Sequence, residues 1–151
     1  MANKDAAFGV RPVGKVGQNA DNGGLSEHII SASATAIYQN DLVKLKNDGS
    51  VEVAGAGGNV VGSLNGVFFT DASKSKPTFA NHLKASNTAT DIKGFVYDDP
   101  YQRFEVQSNN TGASALTDIN NAADIEYTAG SSPSFISKSE LDDSTLAAGA
   151  A

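Results

Sequence analysis

The stretch LVKLKNDGSVEV, residues 42–53, decides the fold class of this chain. Two runs rich in valine and leucine flank Asp48-Gly49, a pair typical of tight hairpin turns because both residues tolerate positive φ. Apolar and polar residues alternate in these runs, as they do in a half-buried β-strand. The stretch therefore predicts two strands joined by a tight turn.

Short β-rich runs separated by turn residues continue on both sides of this hairpin. Asn65-Gly66 lies between two of them and predicts either another hairpin turn or a β-bulge. Further strands are predicted at residues 25–30, 60–61, 67–69, 92–97, 103–107 and 123–127. Many short strands with frequent turn signals indicate an all-β fold, a small barrel or sandwich with an extended N-terminal arm and long loops.

Two local features are predicted within this β pattern. Residues 79–85 predict one helical turn, with Phe79 and Leu83 on the same face. A concentration of aromatic residues predicts the centre of the core, and its members are Phe95, Tyr97, Tyr101 and Phe104.

The chain divides into three predicted parts: an extended arm over residues 1–24, a β-rich domain over 25–137 and a C-terminal tail over 138–151. Glycines and Pro12 oppose a helix in the arm, and the alanine-rich end predicts a frayed helix or a tail. Apolar residues spaced along the arm, among them Phe8 and Val10, predict that it lies across a neighbouring molecule without strand partners of its own. The alternative is a disordered terminus.

The composition indicates one domain with a thin core. Of 151 residues, 62 are alanine, glycine, serine or threonine, and there are 7 phenylalanines, 4 tyrosines and no tryptophan. A core with so few large side chains predicts that a partner surface contributes to stability. Cysteine is absent, which excludes disulfides and thiolate metal sites.

The charge pattern and the lack of long apolar runs exclude two classes of partner. The formal net charge is −6, and residues 98–151 carry 2 basic against 9 acidic residues. Nucleic-acid binding normally needs a basic surface, so no nucleic acid is expected as a partner. No stretch approaches the roughly 18 apolar residues of a membrane helix, and no signal peptide is recognisable. We expect synthesis in the cytoplasm and no membrane partner.

No catalytic, cofactor-binding or metal-binding residues are predicted. His28 and His82 lack partners at metal-ligand spacing. Asp98-Asp99-Pro100 predicts a turn, because aspartate accepts local backbone hydrogen bonds and proline fixes φ. The alternative, an acid–base pair formed by Asp98 and Asp99, would make the chain an enzyme. We expect no enzyme and no cofactor, which favours a protein that works by shape and contact.

Four segments, spread over most of the chain, match sequence segments that the members of one protein family share. They are residues 3–13 (NKDAAFGVRPV), 37–49, 96–107 (VYDDPYQRFEVQ) and 137–142 (SKSELD). In these segments the chain resembles a family of small virion proteins of tailed bacteriophages, the capsid decoration or cement type. Many relatives carry glycine where this chain has Asn40, and relatives continue beyond the last segment into a further apolar strand.

The resemblance implies a place on the outside of the phage head, bound to the major capsid protein. Symmetric positions on a shell favour a cyclic homo-oligomer, and we expect a trimer. The partner-binding residues expected in the arm are Phe8, Val10, Arg11, Pro12 and Val13.

A second hypothesis keeps the chain on the virion but changes its partner. A head-fibre base or surface adhesin would capture host glycan with exposed aromatic rings over a polar groove. The residues that this hypothesis needs are Tyr97, Tyr101 and Phe104.

Overall fold

A computed structural model describes residues 5–17, 24–32, 34–55, 59–109 and 113–148. The all-β fold class predicted from the sequence is confirmed, and in these ranges no helix has the length and apolar character needed to span a bilayer. The elements are β1 (Arg11–Lys15), β2 (Leu25–Ile29), β3 (Leu42–Leu45), β4 (Val51–Val53), β5 (Val60–Asp71), β6 (Lys76–Ala80), β7 (Lys93–Tyr97), β8 (Gln102–Glu105), the 3-10 helix η1 (Leu116–Asp118), β9 (Asn121–Glu126) and β10 (Glu140–Ala148).

The main unit is a six-stranded antiparallel sheet centred on the long strand β5. Its order is β2-β7-β5-β3-β4, and β6 pairs with the second half of β5. A single bridge between Ile30 and Val51 brings the two ends of the sheet together, so the sheet curves around its core. The described strands do not form a closed barrel, and the arrangement is sandwich-like.

The predicted hairpin at residues 42–53 is present as β3 and β4. The Gly49 N–H donates to the Lys46 carbonyl at 3.1 Å, and the Lys46 N–H donates to the Ser50 carbonyl at 2.8 Å. Of the turn residues, only Gly49 has positive φ, at 82°. The connection is therefore a three-residue turn that ends in a left-handed glycine, a common hairpin form.

Asn65-Gly66 lies inside β5 and forms the bulge, not the hairpin turn. The register between β5 and β7 shifts between Leu64 and Gly66. A Cβ atom on Gly66 would stand 2.9 Å from the Ala80 carbonyl oxygen. Glycine therefore lets the end of β6 approach the bulged strand, and the apolar runs on both sides form one continuous element.

The core is aliphatic, so the predicted aromatic core centre is wrong. Val96 of β7 faces the interior, whereas its neighbours Phe95 and Tyr97 face the opposite side because successive side chains of a strand alternate. Tyr101 is exposed and Phe104 is half-buried. The buried cluster consists of Ile30, Ile37, Val43, Val51, Leu64, Val67, Leu83, Ala89, Ile92 and Val96.

The helical turn predicted at residues 79–85 is also wrong. Phe79 belongs to β6 and pairs with Phe68 of β5. Leu83 exchanges two backbone hydrogen bonds with Ile37, at 2.7 and 3.0 Å, and is fully buried. Pairing with neighbouring strands satisfies the backbone here, while a single isolated helical turn is costly to nucleate.

The C-terminal segment predicted as a frayed helix or tail forms strand β10 over Glu140–Ala148. It pairs with β9, and the register breaks between Asp142 and Ala147. Leu141 adds hydrogen bonds to Gln107 and Asn109, at 2.8 and 3.0 Å. Residues 149–151 of the predicted tail, like residues 1–4 and 18–23 of the predicted arm, lie outside the described residues.

Candidate interaction surfaces

The N-terminal segment packs against its own chain. The Val10 N–H donates to the Asn40 carbonyl at 2.9 Å, and the Ser63 hydroxyl donates to the Val10 carbonyl at 2.7 Å. The Asn40 side-chain amide donates to the Phe8 carbonyl at 2.9 Å. Val10 is only 6% exposed, so this side chain belongs to the interior of the molecule that carries it.

Gly9 makes this close packing possible. Its φ is +71°, and a Cβ atom would lie 2.7 Å from the Asn40 carbonyl oxygen and would also overlap the Ser137 side chain. Glycine adopts this left-handed conformation without steric cost. The N-terminal segment therefore connects the loop before β3 with the segment that leads into β10.

The arm also has a strand partner, contrary to the expectation from its sequence. Strand β1 pairs antiparallel with β8, with a bulge between Pro12 and Gly14. The Arg11 guanidinium lies 4.8 Å from the centre of the Phe8 ring and forms an ion pair with Glu105 at 2.6 Å. These contacts fix the segment along one edge of the molecule.

The five residues predicted to bind a partner are not equally available. Val10 is buried, and Phe8 and Pro12 are half-buried. Arg11 is exposed, and Val13 is 53% exposed at the bulge of β1. Arg11 and Val13 are thus the two members of the set with most of their side chains in solvent.

Three phenylalanines form a row across the outer face of the main sheet. Phe68 and Phe79 are direct cross-strand partners with ring centres 4.9 Å apart, and the Phe79 and Phe95 ring centres are 6.5 Å apart. We call Phe68, Phe79 and Phe95 the aromatic ladder. Phe79 is 75% exposed, and Ile29 on the same face is also exposed. Large apolar groups left in solvent on one face are typical of protein–protein contact sites.

A second exposed apolar surface lies around η1. Leu116 is 86% exposed and Ile119 is 61% exposed, and η1 has no buried residue. Residues 115–126 contain three carboxylates and no basic residue. Among them, Asp118 accepts the Ala115 N–H at 2.6 Å. We call Leu116, Asp118, Ile119 and Asp124 the acidic tip.

Asp99 serves as a turn residue, as predicted. It pairs with the Lys15 ammonium at 2.6 Å, and it accepts the Tyr101 N–H at 2.8 Å. The hydrogen bond from Lys15 and that from the Tyr101 backbone hold the pKa of this carboxyl below its usual value. Asp99 therefore stays ionised and engaged in the turn.

Asp98 joins two residues of strand β2. Its carboxylate accepts the Ser26 hydroxyl at 2.9 Å and lies 3.0 Å from His28 Nε2. The sequence did not indicate this contact, because 70 positions separate His28 from Asp98. The carboxylate therefore bridges the serine and the histidine of β2.

The aromatic residues of the adhesin hypothesis differ in exposure. Tyr101 is 68% exposed and borders a shallow polar groove lined by Ser26 and Asp98. Tyr97 and Phe104 are half-buried. One ring of the three therefore stands free for stacking on a ligand.

His82 is stacked between two aromatic rings. Its ring centre lies 3.9 Å from that of Phe135 and 6.3 Å from that of Tyr38. Nδ1 is 3.0 Å from the Asn81 side-chain oxygen. Burial, followed by the charge of Lys84, lowers the pKa of this imidazole. These contacts give His82 a packing role, and the described residues include no cluster of three metal-ligating side chains.

Asp41 is a buried carboxyl that the sequence did not single out. It accepts the Tyr38 N–H at 2.8 Å, and its Oδ1 has no hydrogen-bond partner among the described residues. The nearby Ser137 hydroxyl forms a hydrogen bond with that of Ser139, at 3.0 Å, and its interaction with Asp41 partly offsets the effect of burial on the Asp41 pKa. Burial raises the pKa of Asp41 to about 6, and burial together with the Asp41 charge raises the pKa of Tyr127 to about 12.

Taken together, the candidate sites on the described part of the chain are exposed surfaces: the β1 edge with Arg11 and Val13, the aromatic ladder and the acidic tip. Such surfaces suit contact with another macromolecule. No protein-family model, curated protein or solved structure matches this chain.

Proposed function

We propose that this chain is a decoration or cement protein of a tailed-bacteriophage head. It binds the outside of the shell and bridges neighbouring major capsid subunits. One observation carries the proposal: the four segments that resemble the decoration family meet in space. Residues 8–10 contact Asn40 and Ser137, and strand β1 pairs with β8. Leu141 in turn bonds to Gln107. Packing that depends on four distant segments favours a fold shared with that family, and the shared fold supports a shared role.

The proposed role has a simple physical basis. A filled head is under outward pressure from packed DNA, and a protein clamped across a joint adds buried area that must be lost before the subunits separate. Apolar burial contributes about 25 cal/mol per Å² before the cost of association. Many modest contacts repeated over a shell become effective through multivalency. A cyclic trimer would suit the symmetric positions of such a shell.

Electron cryomicroscopy of intact particles that contain this chain tests the proposal. The expected density lies on the exterior of the shell, and each copy touches at least two capsid subunits. Particles without the protein are expected to break at a lower temperature. Absence from the exterior, or contact with a single underlying subunit, would overturn the proposal.

A binding assay with expanded heads that lack the protein tests the role of the N-terminal edge. Deleting residues 1–13 is expected to weaken binding, but the deletion also removes the buried Val10. Val13→Asp is the cleaner variant, because this side chain is already exposed. We expect at least tenfold weaker binding for Val13→Asp and little change for the control Leu45→Asp, an exposed leucine in another sheet. Unchanged binding of Val13→Asp would exclude the β1 edge as the capsid contact.

The exposure of Tyr101 beside a polar groove favours glycan capture as a second candidate function. A glycan array probed with the intact protein tests it. Binding to a defined glycan that is lost in Tyr101→Ala would support the adhesin. An array without a specific signal would exclude it for the glycans presented.

A further inference from the structure

Asp41 lies where the main sheet meets the C-terminal part of the chain. Its carbonyl accepts the Leu64 N–H of β5 at 2.9 Å. Residues 127–139, which connect β9 to β10, face its carboxyl through Tyr127 and Ser137, and we call them the cover segment. We propose that Asp41 is a pH-sensitive latch: when its carboxyl loses the proton, the cover segment detaches from the main sheet. The inference goes beyond the proposed function and does not depend on binding to a capsid.

The surroundings of the Asp41 carboxyl suit its protonated form. The residue is 0% exposed. Its Oδ2 accepts the Tyr38 N–H at 2.8 Å, whereas Oδ1 has no hydrogen-bond partner among the described residues. A carboxylate that leaves water needs several hydrogen bonds or a cation in its place, while a neutral carboxyl needs fewer. Ionised Asp41 is therefore destabilised as long as the cover segment stays in place.

The groups that face Asp41 supply no positive charge to compensate. Tyr38 of its own loop and Tyr127 of the cover segment are titratable, but tyrosines stay neutral below about pH 9. Strand β5 and the N-terminal segment bring no ionisable side chain to this site. Lys138 of the cover segment is exposed, and no cation of the described residues forms an ion pair with Asp41. Water is therefore the available means of stabilising the carboxylate.

His82 is a second titratable group at this junction, and it acts in the opposite direction. Its ring stacks on Tyr38 and on Phe135 of the cover segment. Burial, followed by the charge of Lys84, lowers the pKa of the imidazole. The closed state therefore disfavours the proton on His82, so this group opposes detachment more strongly as the pH rises. A test of Asp41 has to separate the two contributions.

The cover segment is the part of this site that can open without loss of the core. Two backbone hydrogen bonds join it to Gln39: the Gln39 N–H donates to the Phe135 carbonyl at 3.2 Å, and the Ser137 N–H donates to the Gln39 carbonyl at 2.8 Å. The fully enclosed residues of the cover segment are Gly130, Ser137 and Ser139, none with a large apolar side chain. Regions with few buried apolar contacts open at lower free energy than a core.

The direction of the effect follows from proton linkage. Burial raises the pKa of Asp41 from 3.8 to about 6 in the closed state, although the hydrogen bonds from Ser137 and the Tyr38 N–H act against it. Detachment exposes the carboxyl to water and returns the pKa towards 3.8, so the closed state binds more protons between these values. Opening is therefore favoured as the pH rises, and Asp41 makes the opening constant about fiftyfold larger at pH 7 than at pH 4.

Native-state hydrogen exchange of the purified chain between pH 4 and pH 7 tests the latch. The amides of Gln39 and Ser137 are the reporters, because each donates across the junction. Dividing each rate by that of an unstructured peptide at the same pH gives the opening constant. Asp41→Asn keeps the shape of the protonated carboxyl and does not titrate. The ratio of the native opening constant to that of Asp41→Asn cancels the contribution of His82, and we expect it to rise about fiftyfold from pH 4 to pH 7.

Two further variants separate the latch from other effects of charge and folding. Asp48→Asn is the matched control, because hydrogen bonds from Ser50 lower the pKa of Asp48 to about 2 and its charge stays constant in this range. The ratio of the native opening constant to that of Asp48→Asn is expected to change less than about twofold. His82→Phe keeps a stacked ring and removes the opposing titration. Should Asp41→Asn fail to fold, the opening constant of His82→Phe alone is expected to rise about fiftyfold.

Amides of β7 measure unfolding of the core in the same samples. At pH 7 we expect them to open at least tenfold less often than the amides of Gln39 and Ser137. Junction amides that open only together with β7 would overturn the inference, because detachment would then not be separate from unfolding. A ratio of native to Asp41→Asn that stays constant from pH 4 to pH 7 would overturn it as well, and so would a constant His82→Phe where that variant is used. These measurements involve no capsid, so either failure leaves the proposed function standing.

Discussion

At the scale of single residues, Asp41 couples folding to pH. In the native state burial raises the pKa of Asp41 from its usual value of 3.8 to about 6, so the carboxyl keeps its proton up to about that pH. The unfolded chain releases the proton near pH 4, so the native state binds more protons between these values. The free energy of unfolding therefore falls as the pH rises through this window, by on the order of 3 kcal/mol from this one group.

Asp41→Asn removes this titration and keeps a similar shape. The stability of the variant relative to the native protein is expected to rise by on the order of 3 kcal/mol between pH 4 and pH 7. Urea unfolding at a series of pH values measures the difference. Asp48→Asn is the control, because hydrogen bonds from Ser50 lower the pKa of Asp48 to about 2. The stability of Asp48→Asn relative to the native protein is expected to stay constant over the same pH window. A flat difference for Asp41→Asn would mean that the carboxyl is not desolvated as the structure indicates.

At the scale of elements, the sequence correctly predicted the features that depend on residues close together in the chain. Gly49 fixes the hairpin at residues 42–53 through turn chemistry that four neighbouring residues determine. Strand β10 carries Asp142, Asp143 and Ser144 and has no apolar alternation. It becomes a strand through partners at residues 107–109 and in β9, which are distant in sequence. Pairing of this kind leaves no local signal.

The same limit applies to the candidate site. The apolar spacing of the N-terminal segment predicted docking on a neighbouring molecule, whereas the segment packs on Asn40 and Ser63 of its own chain, through contacts across 30 to 53 positions. The sequence contains Phe79 and Phe95, but it does not indicate the face of the sheet on which each side chain lies. That they share an outer face became clear only from the strand register, because a shift of one residue exchanges the two faces of a strand.

The packing of the N-terminal segment on its own chain can be tested by substituting two valines of that segment, one buried and one exposed. Val10→Ala removes buried methyl groups and is expected to lower the free energy of unfolding by about 2 kcal/mol. Val13→Ala, three positions along the same segment but exposed, is expected to cost less than about 0.5 kcal/mol. Chemical denaturation of the two variants provides the comparison. Equal costs would show that residues 8–10 are not seated on the domain in solution.

At the scale of the whole molecule, stability is distributed unevenly between the main sheet and the β9–β10 pair. The main sheet contains the aliphatic core: Leu64 and Val67 of β5 and Val96 of β7 are fully buried in it, as is Ile92 just before β7. The described positions of β9 include no buried residue, and two-stranded sheets are marginally stable by themselves. The pair is therefore held mainly by its own backbone pairing, by the contacts of Leu141 and by side-chain hydrogen bonds from residues 107–109.

Native-state hydrogen exchange tests this uneven distribution. Amides of β9 and β10 are expected to open at a free energy lower than those of β5 and β7 by roughly 2 kcal/mol or more, because fewer buried contacts oppose the opening. Uniform opening free energies across both sheets would show that the β9–β10 pair is part of a single cooperative unit with the core, stable without a partner.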